Sequence, residues 1–174
     1  MQIQPYRVRP AAYHEYDPEL AVVAESVIDL IRRQDDRLAV EHIGSSAIPG
    51  CGGKGYIDLL LTYPQGQLDA AKQALQALGF QRQQFGVPFP EDRPMRVGMV
   101  EHQGREFPVH VHVIAETSPE ATELLRFRDR LRADEALRLA YAAEKRRIIG
   151  TGVTESPHYA LAKTDFIRKV LSKP

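Results

Sequence analysis

The fold is decided by the stretch Val40-Glu41-His42-Ile43-Gly44-Ser45-Ser46-Ala47-Ile48-Pro49-Gly50, followed after Cys51-Gly52-Gly53 by Lys54-Gly55-Tyr56-Ile57-Asp58-Leu59-Leu60-Leu61. The weakly alternating run from Leu38 to Ile43 predicts a strand that ends at Gly44. A Gly-Ser-Ser turn and a glycine-rich connection then lead into Tyr56 to Leu61, which is nearly all apolar and therefore reads as a central strand. That strand carries a single acid, Asp58. An unpaired carboxylate among apolar neighbours is costly to bury, so Asp58 requires a metal, a basic partner or a water-filled cleft. The small-residue turn leaves backbone N–H groups able to approach phosphate oxygens, and the hydroxyls of Ser45 and Ser46 add donors.

Upstream, Asp17-Pro18-Glu19 places a capping oxygen before a proline at the first helical position, and the same arrangement recurs at Ser118-Pro119-Glu120 and Ser156-Pro157. The first helix runs to about Arg33, with Leu20, Val23, Val27 and Leu30 on one stripe. Downstream, Leu68, Ala71, Leu75 and Leu78 repeat that spacing, and Gly79 supplies a left-handed stop. A short strand is expected near Phe80. Met95 to Glu101 and Glu106 to Ile114 flank a turn around Gln103-Gly104 and read as a hairpin. From Thr117 onward the pattern is helical, in three pieces broken near Ala133 and around Gly150-Thr151-Gly152. Successive strand–helix–strand units are scarce, so a doubly wound sheet is disfavoured. The expected class is α/β (α+β): a mixed β-sheet with flanking helices and a C-terminal three-helix segment. Residues 1–174 are read as one domain, with a sheet-containing core over about 12–116 and a helical part over about 117–174.

With 23 Lys+Arg against 23 Asp+Glu, the chain lacks the basic surplus that neutralising many phosphates demands, and no long nucleic acid is expected as partner. The N-terminus lacks a basic-then-apolar leader, and the apolar run from Ile57 to Leu61 is interrupted by Asp58 and too short to span a bilayer. A cytoplasmic protein with no membrane association is expected. The single cysteine, Cys51, reads as a passive loop thiol, and Gly44-Ser45-Ser46-Ala47-Ile48 is not a hydrolase nucleophile elbow.

His110 and His112 lie two apart on a predicted strand, so both rings project from one face, roughly 6–7 Å apart at the backbone. Val109, Val111 and Val113 then face the core. With Asp58, the two imidazoles make a divalent-metal site or a site for substrate and general base; the plainer reading is hydrogen-bonded structure on a sheet face. Magnesium, manganese and zinc are not resolved, although two imidazoles favour manganese, iron or zinc. His42 either positions a phosphate or metal or is a buried, hydrogen-bonded histidine. Lys54, between glycines, can reach a phosphate or Asp58, or stay solvated. Lys163 shares a helical stripe with Tyr159, Phe166 and Val170, and Arg128 falls between Leu124 and Leu131; each snorkels outward or lines an anion-binding cleft. Asp129 can pair an arginine, and Lys145-Arg146-Arg147 reads as a solvated helix end.

In order along the chain, His42-Ile43-Gly44-Ser45-Ser46, Ile48-Pro49-Gly50, Lys54, Ile57-Asp58-Leu59, His110-Val111-His112, Leu125-Arg126-Phe127-Arg128-Asp129, Tyr159, Lys163 and Phe166-Ile167 resemble the GrpB family of the nucleotidyltransferase superfamily. Two positions depart from the family wording: Ser46 stands for a more typical threonine, and Gly55 follows Lys54 where proline is common. The resemblance implies a nucleotidyltransferase-like fold that binds a nucleotide or phosphorylated small molecule. On the transferase reading, Gly44 and Ser45 hold phosphate, Asp58 anchors a metal with His110 or His112, and Lys54 or Arg128 offsets developing charge. It also implies a functional link to coenzyme A biosynthesis, because some members are fused to a dephospho-coenzyme A kinase; this sequence has no P-loop. Active members of the parent superfamily carry a second acid two residues on, where this chain has Leu60. A degenerate binding or regulatory domain is therefore the alternative to a metal-dependent transferase.

Overall fold

In the computed structural model, residues 1–10, 12–150 and 166–172 are described. The predicted helix start at Ser156-Pro157, with Tyr159 and Lys163, lies outside the described residues. The strands are β1 (Ile3–Gln4), β2 (Ala39–Ile43), β3 (Ile57–Tyr63), β4 (Gln81–Arg82), β5 (Met95–His102) and β6 (Arg105–Ala115), and the helices are α1 (Glu19–Gln34), α2 (Leu68–Ala77), α3 (Pro119–Ala133) and α4 (Glu135–Gly150). Residues 166–171 are again helical.

The six-stranded sheet runs β1-β5-β6-β3-β2, with β4 also pairing β5. Only β3 and β6 pair in parallel among the described residues; the other pairings are antiparallel. The mixed sheet expected from the scarcity of strand–helix–strand units is what the chain adopts. The β5–β6 hairpin turns through Gln103 and Gly104, both with positive φ (51° and 75°), the backbone a two-residue hairpin with right-handed strand twist requires. β1 had no sequence signal, being two residues long and defined by the pairing of Ile3 with Val100 and of Gln4 with Met99.

The helix starts follow local chemistry. Asp17 Oδ1 accepts the Glu19 N–H at 3.0 Å at the head of α1. Pro119 opens α3 as expected, but the Ser118 hydroxyl makes no capping bond. Its carbonyl accepts the Ala121 N–H instead, at 3.1 Å. Asp134 breaks the chain between α3 and α4: its backbone closes one helix and its Oδ1 accepts the Leu137 N–H of the next at 2.9 Å.

Strand register sorts the residues onto two faces. Asp58 lies beside His110, and His110 beside Val97, so these share a face; Leu59, Val111 and Arg96 share the other. On that second face Leu59, Leu61, Val109, Val111 and Val113 are fully buried against α1 and α2. Each such side chain contributes about 1.5–3 kcal/mol through burial. The Asp58 face is covered differently: Ile43, Leu60 and Ile114 pack under Ala121, Leu124 and Leu125 of α3. A third cluster joins Ile48 and Cys51 to Leu131, Tyr141 and Val170, fastening the glycine-rich connection to α3, α4 and the C-terminal helical residues. No helix among the described residues is long and apolar enough to cross a membrane.

Candidate functional site

The site forms where β2 ends and β3 begins. Gly44 has φ +70°, and a Cβ there would lie 2.5 Å from Asp58 Oδ2. Glycine is thus required twice, by the left-handed backbone and by the carboxylate packed over it. The chain continues as a single 3₁₀ turn, Ser45–Ala47, closed by the Ile48 N–H on the Ser45 carbonyl at 3.1 Å.

Across the parallel β3–β6 pairing, His110 Nδ1 is 3.6 Å and His112 Nε2 3.9 Å from the same oxygen, Asp58 Oδ1. The two histidines share one face as expected, and the parallel register of β3 on β6 brings Asp58 onto it. Both distances exceed hydrogen-bond reach, and each ring pairs with the carboxylate as an ion only when protonated. Burial pushes the His112 pKa down to about 4 against the opposing pull of Asp58, so its ring is neutral near pH 7. His112 Nδ1 is buried without a hydrogen-bond partner. His110 Nε2 lies 2.9 Å from the Tyr6 hydroxyl.

Aromatic rings from three distant segments surround the histidines. Tyr6 stacks on Phe85 with ring centroids 4.9 Å apart, Tyr56 meets His110 edge-on at 5.0 Å, and Phe89 meets His112 edge-on at 5.6 Å. Burial raises the pKa of both Tyr6 and Tyr56, so the phenols are neutral donors. The Arg93 guanidinium lies over Phe89 at 4.7 Å and pairs with Glu120. Sequence reasoning missed this ring set because Phe85 and Phe89 lie in a connection with no periodicity.

The remaining predicted residues divide. His42 is buried on the opposite sheet face, and its Nε2 lies 2.9 Å from the Ser46 hydroxyl. Burial drives its pKa to about 4. His42 and Ser46 therefore brace the turn from behind, which corrects a phosphate-facing role for either. Ser45 remains half-buried beside Gly53, and Lys54 is half-buried in the connection. The Arg128 guanidinium bonds Glu41 Oε2 at 2.8 Å, the His42 carbonyl at 2.9 Å and Asp129 Oδ1 at 2.8 Å. It locks α3 to the end of β2, where an anion-binding role was expected. Lys163 lies outside the described residues.

Lys145 overturns the reading of a solvated helix end. Its side chain is among the most deeply buried in the molecule, 1% exposed. Its ammonium donates to the Gly52 carbonyl and, at 3.2 Å, to Cys51 Sγ, and sits 4.4 Å from the Tyr141 ring centroid. The flanking Arg146 and Arg147 are exposed, as expected. The connection is held from the other side by His14, whose backbone exchanges two hydrogen bonds with Gly53, at 2.7 and 2.9 Å.

Among the described residues, no group of three or more His, Cys, Asp or Glu side chains is placed to hold a metal ion. Asp58, His110 and His112, expected as metal ligands, do not form such a group as placed. Leu60, where a second strand acid would stand, is 1% exposed beneath α3.

The model of the family described as GrpB protein matches residues 10–173. The chain belongs to the GrpB family. This GrpB chain is 28% identical over 164 residues to a UPF0157 protein of Halalkalibacterium halodurans, covering 91% of this chain and 80% of that one. A UPF0157 protein of Streptomyces coelicolor is 34% identical over 139 residues, covering 77% of this chain and 67% of its own. Among solved structures, the conserved protein GrpB from Enterococcus faecalis superimposes with a TM-score of 0.69 at 22% identity, over 92% of this chain and 97% of that one. That likeness is one of fold.

Proposed function

We propose that this GrpB protein binds a nucleotide or another phosphorylated small molecule at the Gly44–Ser45 turn beside Asp58, as a binding or regulatory domain. The observation that carries this reading is Leu60. By the family resemblance, two-metal nucleotidyl transfer needs a second acid two residues beyond Asp58, and that position is an apolar side chain 1% exposed and packed under α3. What remains is suited to recognition. The turn supplies N–H and hydroxyl donors for a phosphate. The neutral His112 ring and the phenols offer hydrogen bonds at the same face, and Asp58 accepts from hydroxyl or amine groups of the ligand.

The second reading, a metal-dependent nucleotidyl or phosphoryl transferase, is favoured by two imidazoles within 4 Å of Asp58 Oδ1 and by the unpartnered Nδ1 of His112. One experiment separates the two. Chelator-treated protein is titrated with nucleoside triphosphates and coenzyme A precursors, each alone and with magnesium, manganese or zinc, and followed by thermal shift and pyrophosphate release. A ligand at a hundred times its Kd adds about 2.7 kcal/mol of stability, a clear rise in Tm. Stabilisation without a metal requirement and without turnover, lost in Asp58→Asn, supports the binding domain. Metal-dependent stabilisation with pyrophosphate release supports the transferase. No stabilisation by any pairing removes both.

A further inference from the structure

The reverse face of the sheet holds a cleft of about 600 Å³ between α2 and the β4–β5 edge, with Lys72, Gln73 and Gln76 on one wall and Arg82, Glu91 and Arg96 on the other. It is separate from the Asp58 site, because Arg96 pairs with Val111 and so lies on the face opposite Asp58 and His110. Arg96 is out of place by composition. It sits on the core side of a β-strand with its side chain 7% exposed, and a buried guanidinium is tolerated only when paired.

Its partner is Glu91. Arg96 Nη2 donates to Glu91 Oε2 at 2.9 Å and Nη1 to Oε1 at 3.3 Å, while Arg82 Nη2 lies 2.8 Å from the same Oε1. One carboxylate is thus held by two guanidiniums inside a cleft that also presents two carboxamides and Lys72, itself paired with Asp69 at 2.7 Å. Glu91 reaches it from the connection between β4 and β5, outside any regular element, whereas both arginines are fixed on strands. The geometry of a loop carboxylate seated on strand-borne cations is that of an internal substitute for a ligand oxyanion.

We propose that this cleft is a second anion site, for the phosphate group of a small molecule, in which Glu91 occupies the ligand's place. Arg96 and Arg82 take the phosphate oxygens, Lys72 adds a point charge, and Gln73 and Gln76 bond the remainder of the ligand. The displaced carboxylate belongs to the same connection that lays Phe85 against Tyr6 and His110, and Phe89 against His112. Within it the Gln83 amide ties Phe85 and Phe89 together, accepting the Phe89 N–H at 3.1 Å and donating to the Phe85 carbonyl at 2.7 Å. Occupation of the cleft therefore loosens the aromatic cover of the Asp58 face from behind the sheet.

The test is calorimetric titration of the full chain with pyrophosphate, repeated in E91Q, K72M, R96Q and D58N. Removing the competing carboxylate in E91Q is expected to tighten binding by roughly tenfold, equivalent to about 1.4 kcal/mol. K72M and R96Q are expected to weaken it by at least as much, and the same differences are expected in the D58N background, where any pyrophosphate held at the Asp58 face is removed and the cleft is read alone. Lys72 lies on a helix surface, so K72M carries the test if R96Q fails to fold. Hydrogen exchange over residues 83–94 is expected to speed up when pyrophosphate is bound. Pyrophosphate binding no tighter in E91Q than in the natural chain, or lost in D58N, overturns the proposal, as does binding with exchange over 83–94 unchanged.

Discussion

The two faces of the sheet are made from the same strands and do opposite work. Toward α1 and α2, alternate residues of β3 and β6 are Leu59, Leu61, Val109, Val111 and Val113, all at 0% exposure. Toward the other side the intervening positions are Asp58, His110 and His112, and α3 covers only the far end, over Leu60 and Ile114. A period of two residues lets one pair of strands carry a core and a polar site together, one residue out of phase. The core face supplies stability, while the titratable face is the part that stability has to tolerate.

The comparison breaks if a charge on the core face is as harmless as one on the other. Val111→Asp is expected to lower stability by about 4–5 kcal/mol, enough to abolish cooperative unfolding in a urea titration. Next in size is Lys145, the buried cation that holds the glycine-rich connection. Lys145→Ala removes donors from Gly52 and Cys51 and leaves a cavity, and a loss of about 2–4 kcal/mol in the same titration is expected. Acid sharpens the contrast further. His42 and His112 have folded pKa values of about 4 against an ordinary 6.5, held down chiefly by burial. Both are neutral when folded and take up protons near 6.5 once unfolded, so their contribution is complete above 6.5 and is lost as pH falls toward 4. A decline on the order of a few kcal/mol across that window is expected, and His42→Gln should flatten it. The smallest effect is expected at the site itself: Asp58→Asn keeps the shape of the side chain and should change stability by less than about 1 kcal/mol. A large loss there would mean that Asp58 belongs to the core rather than to a site.

Much of this was legible from local pattern. The β2–turn–β3 unit, the Gln103-Gly104 hairpin, the stop at Gly79 and the shared face of His110 and His112 all follow from the period of side chains or from the backbone that particular residues permit. That Asp58 joins the histidine face needs one further fact, the parallel register of β3 on β6, which no local pattern supplies. Charge patterning failed at Lys145, because a lysine in a run of basic residues looks solvated until distant elements close over it. Arg128 was read as snorkelling outward or lining an anion-binding cleft, and only the tertiary position of Glu41 and the His42 carbonyl shows that it is bound to protein. Ser46 and His42 lie four apart and brace each other through a turn whose sharpness Gly44 alone allows, while β1, Tyr6 and Phe85 enter from segments with no periodicity at all.

The parallel seam between β3 and β6 has a consequence for the order of assembly. β2–β3 and β5–β6 are antiparallel pairs between strands close in sequence, and each can zip early. Docking Ile57 beside Val109 instead closes a loop of about fifty residues, an entropic toll that is met only after both halves exist. Asp58 belongs to one half and His110 and His112 to the other. The constellation is therefore absent from every partly folded form with an open seam. In a newly made chain Asp58, His110 and His112 come together in one step, at the moment its two halves meet.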